Sequence, residues 1–105
     1  MRWSTFRKVV VGDRGTTERV PRISAFYGIV IAMYYDDHPP PHFHAKYGEH
    51  QAQIVIATSV VLNGSLPRRA LALVQEWAAL HRDELAEDWR RAEDEEPLAS
   101  IDPLP

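Results

Sequence analysis

Three of the five histidines lie within one seven-residue segment, His38-Pro39-Pro40-Pro41-His42-Phe43-His44. Proline fixes φ and lacks a backbone N–H, so residues 39–41 are expected to form a stiff, polyproline-like connector. The alternating residues that follow predict a strand. His42 and His44 would then lie on one face of it, with Cα atoms about 6.6 Å apart. Two imidazoles at that spacing can converge on one ion or one substrate.

A divalent transition-metal site is the first chemistry that this pattern indicates, with His38, His42 and His44 as ligands. A straight polyproline spacer would place the Cα atoms of His38 and His42 about 12 Å apart, near the limit for metal bonds of about 2 Å. The backbone would therefore have to bend at residues 39–41, for example through a cis bond. Any one of three acidic residues could supply the carboxylate of a two-histidine, one-carboxylate set: Asp36, Asp37 or Glu49.

Metal-free acid–base catalysis is the second chemistry. Histidines with a pKa near 6.5 can serve as base and acid in phosphodiester transfer, and Lys46 could stabilise the developing negative charge. This pattern predicts His42, His44 and Lys46 as catalytic residues of a nuclease or another hydrolase. The alternative without chemistry is that both histidines are solvated or hydrogen bond to backbone groups beside the prolines.

Two arginines, Arg68 and Arg69, begin the predicted helix, where positive charge opposes the helix dipole. Their placement indicates contact with an anion or with a carboxylate of a partner. The alternative is that either arginine folds back onto a nearby acidic side chain. His81, between Trp77 and Leu85 on the apolar stripe, is interpreted as a buried, hydrogen-bonded helix histidine.

The elements around the histidine segment predict an α+β fold. Phe43, Ala45 and Tyr47 are expected to face the core, and His42, His44 and Lys46 the exposed side. Apolar runs predict further strands at residues 29–35, 51–57 and 60–62, giving a small antiparallel sheet of three to four strands. From Pro67 to about Arg91 the apolar residues recur at helical spacing. They predict one long amphipathic C-terminal helix across the sheet, with a kink near residues 81–83 left open.

Composition limits the class of protein. The 105 residues make one domain. The net charge of −3 arises from the acidic last stretch, and the chain has no polybasic run of the kind that would identify a nucleic-acid partner. The absence of cysteine excludes disulfides and thiolate metal sites, which favours a reducing compartment. No apolar run approaches the roughly 20 residues of a membrane span. We therefore expect a cytoplasmic protein without membrane contact, with a domain at residues 21–105 and a poorly ordered or edge-pairing extension at residues 1–20.

Four groups of residues from Pro21 onward form, in order, a pattern shared with a known family. They are residues 21–29 (Pro21-Arg22-Ile23-Ser24 and Phe26-Tyr27-Gly28-Ile29), His38 to Ala45, residues 64–70 (Gly64-Ser65-Leu66-Pro67 and Arg69-Ala70), and the helical positions Leu73, Val74, Glu76, Trp77, His81, Arg82, Glu84, Leu85 and Trp89. On these groups the chain resembles a bacterial family of small proteins, the domain of unknown function DUF4160. The segment Ile101-Asp102-Pro103-Leu104 is similar to the usual ending of that family.

The resemblance implies a component of a two-gene, toxin–antitoxin-like module, acting through a small protein encoded by a neighbouring gene. Because family members usually begin with Met at the position of Val20, it also implies that residues 1–19 are an upstream extension. Three functions thus stay open: the partner-dependent module component, the histidine-dependent hydrolase with or without a metal, and a non-catalytic module that binds an anion or a protein through the histidine face and the two arginines. Nucleic acid as a partner and a homodimer are left open as well.

Overall fold

The computed structural model describes residues 21–105, which form one antiparallel sheet followed by two helices. The five strands lie in the sheet in the order of the chain, so the predicted antiparallel meander and α+β class are confirmed. The predicted extension at residues 1–20 lies outside the described residues. The elements, in chain order, are β1 (Arg22–Phe26), β2 (Ile29–Ala32), β3 (His42–Tyr47), β4 (His50–Val55), β5 (Val61–Ser65), α1 (Arg68–Leu80) and α2 (Arg82–Glu93).

The prediction of three to four strands was too low because β1 does not alternate regularly. A bulge between Arg22 and Ser24 shifts the register of β1 against β2, so the buried side chains Ile23 and Phe26 are three residues apart. The following turn carries Tyr27 and Gly28, both at positive φ (51° and 79°). A bulge hides the period of two, and tyrosine at such a turn position is no sequence signal for a hairpin.

The prediction of one long helix was wrong in that the helix is interrupted at His81. This residue has φ −123° and ψ 28°, which ends α1 and starts α2. Its Nδ1–H donates a hydrogen bond to Glu84 Oε1, and its ring is centred 5.5 Å from the ring of Trp77. Asp83 and Glu84 occupy the first turn of α2, where negative charge favours a new helix N-terminus. The break falls inside the region where a kink was left open.

The helices cover one face of the sheet and enclose the core. Its fully buried side chains come from both layers, and the two tryptophans Trp77 and Trp89 are buried as predicted. The irregular C-terminal tail returns to the sheet: the Ile101 N–H donates to Ile23 O at 2.8 Å, and Trp77 Nε1 donates to Asp102 O at 2.8 Å. Within residues 21–105, neither helix is long and apolar enough to cross a membrane.

Candidate metal centre

The loop between β2 and β3 brings a carboxylate to the start of β3. The chain turns at Asp36, which has φ 56°, a conformation that aspartate tolerates better than most residues. The Pro39–Pro40 peptide bond is cis. The loop is attached to the end of β4 because the Ile56 N–H donates to Pro41 O at 3.1 Å. These contacts place the side chain of Asp37 beside the two histidines of β3.

Asp37, His42 and His44 form the one group of potential metal ligands among the described residues. Their candidate ligand atoms all lie within 4.8 Å of one another. Asp37 Oδ2 is 3.0 Å from His42 Nε2 and 3.0 Å from His44 Nε2. The second carboxylate oxygen, Oδ1, accepts the backbone N–H of His38 at 2.9 Å. One oxygen is thus used to orient the carboxylate, and the other points at both imidazoles.

The hydrogen bonding of His42 indicates which of its nitrogens can bind a metal. Nδ1 lies 2.8 Å from Pro40 O, and since a carbonyl can only accept, Nδ1 carries the proton of this bond. In the neutral ring the lone pair is then on Nε2, which is buried and makes no hydrogen bond. Metal-binding histidines commonly donate the other ring N–H to a backbone carbonyl in this way.

The short contact between His42 Nε2 and Asp37 Oδ2 is not a hydrogen bond, although the two atoms are 3.0 Å apart. Since this distance would permit a hydrogen bond, it is the relative direction of the two groups that excludes one. Two ligands at neighbouring octahedral positions, with bonds of about 2.1 Å, lie about 3.0 Å apart. Each metal bond then points about 45° away from the line joining the ligand atoms. A close but misdirected contact is the expected geometry for atoms that share an ion.

Burial differs across the three ligands. The His42 side chain is fully buried, with the Trp89 ring of α2 centred 5.3 Å away, so the expectation that His42 faces the exposed side was wrong. The C-terminal helix and the proline loop cover that end of the sheet. His44 and Asp37 keep 21% and 16% of their side chains exposed, and the Tyr34 ring packs edge-on against His44 at 4.5 Å. An ion would therefore be approached from the side of His44 and Asp37.

The surroundings of Asp37 favour its ionised form. Burial alone would raise its pKa, but the hydrogen bond with His44, the nearby His42 and the His38 backbone N–H together lower the pKa of Asp37 below 3.8. A carboxylate that is ionised across the physiological range is a suitable ligand for a divalent cation. The geometry and the charge state of the group therefore agree.

The other predicted ligands lie outside this group. His38 is 70% exposed; its Nε2 is 3.8 Å from Asp37 Oδ1, and its ring is centred 5.5 Å from that of His42. Of the three carboxylates considered from the sequence, Asp37 is the one that lies beside His42 and His44. Asp36 is exposed in the turn, and Glu49 lies beyond the far end of β3.

The remaining candidates are exposed. Lys46 is on β3, two residues beyond His44 and on the same face. Arg68 and Arg69 start α1 on the helical side of the sheet, and Arg69 lines a cleft there. Lys46 can take part in chemistry at the metal centre only through a substrate that spans both, and a role for the two arginines stays a prediction.

Sequence reasoning did not find the groups that support the ligands. The Pro40 carbonyl and the Trp89 ring both contact His42, and Tyr34 contacts His44. A backbone carbonyl has no sequence signal. The aromatic residues were interpretable only as core or strand residues before the layers were assembled.

Comparison with known proteins gives a family and no function. No curated protein and no solved structure matches the chain significantly. A family model described as "Domain of unknown function (DUF4160)" matches residues 28–90, which include the metal-ligand group and most of both helices. The match covers more than half of the 105 residues. The chain therefore belongs to the DUF4160 family.

Proposed function

We propose that this protein is a metal-dependent hydrolase whose divalent transition metal is held by Asp37, His42 and His44. The observation that supports this most strongly is the buried Nε2 of His42. It has no hydrogen bond, is oriented by the Pro40 carbonyl, and faces an ionised carboxylate oxygen at 3.0 Å. A buried polar atom without a partner costs about 1–3 kcal/mol. A bound cation would remove that cost.

Hydrolysis is the reaction that this donor set and its surroundings favour. Two histidines and one carboxylate occur in catalytic zinc sites and in non-haem iron sites, and both leave coordination positions open. An oxygenase must usually hold an organic substrate beside the metal. The hollow beside His44 measures about 150 Å³, which is small for such a substrate. Hydrolysis needs only a bound water and an extended substrate lying over the site.

The chemistry follows from the acidity of the bound water. A metal of this kind lowers the pKa of its water to about 7. For a phosphodiester, the water oxygen forms the new bond to phosphorus while the bond to the leaving oxygen breaks and its electron pair stays on that oxygen. The proton of the water passes to the leaving oxygen. His38, exposed and 3.8 Å from Asp37 Oδ1, is placed to carry it.

A metal titration of the tag-free protein tests this proposal. We expect the wild type to bind one equivalent of Zn²⁺ or Mn²⁺ by isothermal titration calorimetry. His42→Ala and His44→Ala should each weaken the binding by about 100-fold, since loss even of a supporting residue costs 10–100-fold. The half-exposed His44 is included because His42→Ala removes a fully buried side chain and could impair folding.

His50→Ala is the matched control, because His50 is an exposed histidine on the neighbouring strand outside the ligand group. It should bind metal as the wild type does. Hydrolysis of bis(p-nitrophenyl) phosphate by the metal-loaded protein should be lost in His44→Ala and kept in His50→Ala. Failure of the wild type to bind any of these metals, or equal binding by His44→Ala, would refute the proposal.

A second candidate is the partner-dependent component of a two-gene module, and an exposed apolar cleft supports it. The cleft, of about 530 Å³, lies between the sheet and α1, with the exposed side chains Tyr27, Tyr47 and Leu80 along it and Arg69 in its wall. Tyr27 and Leu80 are 60% and 64% exposed. Aromatic, aliphatic and arginine side chains together are typical of protein interfaces.

Co-expression with the neighbouring gene product tests this candidate. The two proteins should co-purify, and Leu80→Asp should abolish the complex while leaving metal binding unchanged. Leu62→Asp, an exposed leucine on β5 away from the cleft, is the control. Separate elution of both wild-type proteins at micromolar concentration would count against it.

A further inference from the structure

We propose that single-stranded nucleic acid is the substrate of the metal centre and lies on the face of the sheet that carries His44 and Lys46. This proposal rests on the proposed hydrolase function and names its substrate. The contact surface is an amide face, defined by Gln51, Gln53 and Asn63, which adjoins His44. Four observations carry it: the register of the strands, the distribution of charge, the hollow beside His44, and an exposed aromatic ring at the site.

The strand register places the amide face directly beside the metal ligand. His44 on β3 pairs with Gln53 on β4, and Gln53 pairs with Asn63 on β5. Directly paired residues of antiparallel strands point to the same face. Lys46 pairs with Gln51 one step further along the same strands. A row of hydrogen-bonding side chains thus runs from His44 across two strands, with a cation next to it.

Charge complementarity favours a polyanion on this face. None of the five strands contains Asp or Glu, and their full cations are Arg22 and Lys46. The acidic residues of the two helices, by contrast, belong to α1 and α2 and not to the sheet. A bound divalent metal would add positive charge at His44. The strands beside His44 therefore present a cation and no carboxylate of their own, and the nearest carboxylate is the proposed ligand Asp37.

A small hollow links the metal ligand to the amides. It measures about 150 Å³ and is lined by His44, Gln51, Gln53 and Asn63 together with Ala52 and Gly64. Sites for drug-sized ligands are usually about 300–1,000 Å³. This hollow suits a single planar group on a longer chain. Glutamine and asparagine can pair with the edge of a base through one donor and one acceptor.

The ring of Tyr34 supplies the aromatic surface that single-strand binding commonly uses. It packs against His44 with ring centroids 4.5 Å apart and is 37% exposed. Bases stack on such rings irrespective of sequence, and lysines contact the intervening phosphates. With Tyr34 for stacking, the amide face for base edges and Lys46 for phosphate, a phosphodiester of the strand would lie over the metal.

Fluorescence anisotropy with a labelled single-stranded RNA of twelve nucleotides tests this proposal. The full chain is used with EDTA, so that binding is measured without metal or turnover. We expect the double variant Gln53→Ala/Asn63→Ala to weaken binding by about 10-fold or more. Lys46→Ala should weaken it for every sequence and lower the slope of log Kd against log salt by about 0.7–1.

Arg69→Ala is the matched control for Lys46→Ala, because it removes an exposed cation from the helical side. This variant should change the Kd for RNA by less than about 2-fold, since Arg69 would not contact the bound nucleic acid. A DNA strand of the same sequence shows whether the 2′-hydroxyl contributes; similar or weaker binding of DNA both fit the proposal. A labelled twelve-residue polyglutamate tests whether an acidic peptide is the occupant instead.

Several results would overturn the proposal. The first is a Kd above about 1 mM for both the RNA and the DNA, which is weaker than ordinary non-specific binding. The second is polyglutamate binding as tightly as RNA. The third is an equal loss of RNA affinity in Arg69→Ala and Lys46→Ala. Metal titration of the same variants separates this failure from that of the metal centre. Lys46→Ala and Gln53→Ala/Asn63→Ala should bind metal like the wild type. If the wild type binds RNA but no metal, the nucleic-acid surface is supported and the hydrolase proposal is refuted. If it binds metal but no RNA, only the nucleic-acid surface is refuted.

Discussion

Two carboxylates, the half-buried Asp37 and the fully buried Asp88, differ in the groups that surround them. Asp37 faces two imidazoles and a backbone N–H, and its pKa is lowered despite burial. Asp88, on α2, is 1% exposed; its Oδ1 accepts the Ala99 N–H at 2.8 Å, while Oδ2 has no partner. Burial raises the pKa of Asp88, and the bond from Ala99 offsets only part of that effect. One carboxylate is kept charged and the other is biased toward protonation.

These opposite pKa shifts predict opposite effects on stability as pH changes. The lowered pKa of Asp37 stabilises the fold above pH 3.8, the pKa of the unfolded state, and this contribution is lost as pH falls through the folded pKa. The raised pKa of Asp88 has the reverse sign, so its contribution is lost as pH rises from 3.8 through the folded pKa. Urea unfolding of Asp37→Asn and Asp88→Asn at several pH values, in EDTA, measures both.

Relative to the wild type, Asp37→Asn should lose stability above about pH 4, and the loss should vanish in stronger acid. The stability of Asp88→Asn relative to the wild type should increase as pH rises over the same range. Stability differences that do not change with pH, or that change in the same direction for both variants, would contradict the assignment.

At the scale of elements, the pairing of β4 with β5 depends on one glycine. Gly64 has φ 78°, and a Cβ added there would lie 2.3 Å from the backbone oxygen of Gln51. The strand pair cannot accept a side chain at this position without moving apart. Since Gln51 and Asn63 belong to the amide face, Gly64 also maintains the proposed binding surface.

Gly64→Ala is therefore expected to destabilise the protein by about 3 kcal/mol, because backbone strain and a backbone clash add. Gly48→Ala provides the matched comparison: Gly48 also has positive φ, 58°, but nothing lies within 4 Å of its added Cβ. It should cost only about 1 kcal/mol. Urea denaturation followed by circular dichroism compares them, and equal losses would show that the clash at Gly64 is relieved cheaply.

The C-terminal tail has no regular secondary structure, but it is held to both layers of the fold by hydrogen bonds and buried side chains. Ile101 donates its N–H to β1, and the Asp102 carbonyl accepts from Trp77 of α1. Ile101 and Leu104 are buried, with 3% and 8% exposure. The tail thus covers part of the β1 edge, which limits pairing of that edge with other chains, and it connects the two layers.

At the scale of the whole molecule, metal binding should couple to global stability. The proposed ligands come from a loop and a strand that are held together only in the folded state, so a metal held by them would bind the native protein in preference to the unfolded chain. A free metal concentration 100 times Kd stabilises a fold by about 2.7 kcal/mol. For a domain of this size that corresponds to a melting temperature about 10 °C or more above that of the metal-free protein.

Thermal melts of metal-loaded protein with and without EDTA measure this difference. The His44→Ala variant should melt at the same temperature under both conditions, and His50→Ala should behave like the wild type. A wild-type melting temperature that EDTA does not change, or an equal change in His44→Ala, would argue against the site.

Much of this protein was determined by local sequence. The alternation from His42 to Tyr47 predicted β3 with its observed bounds, and the helical spacing from Pro67 onward predicted the helical layer. The histidine pair predicted two members of the three-residue candidate ligand group. These features depend on the strand and helix periods and on the restricted backbone of proline. Such information is carried by neighbouring residues.

Only the tertiary structure decided the rest. It brought Asp37, and not His38 or Asp36, into the candidate ligand group, because the direction of a turn sets where its side chains point. It buried His42 under Trp89, a residue far along the chain, and broke the helical layer at His81. It also placed Gln53 and Asn63 beside His44 through strand pairing. Contacts between distant segments arise from packing and register, which no local pattern specifies.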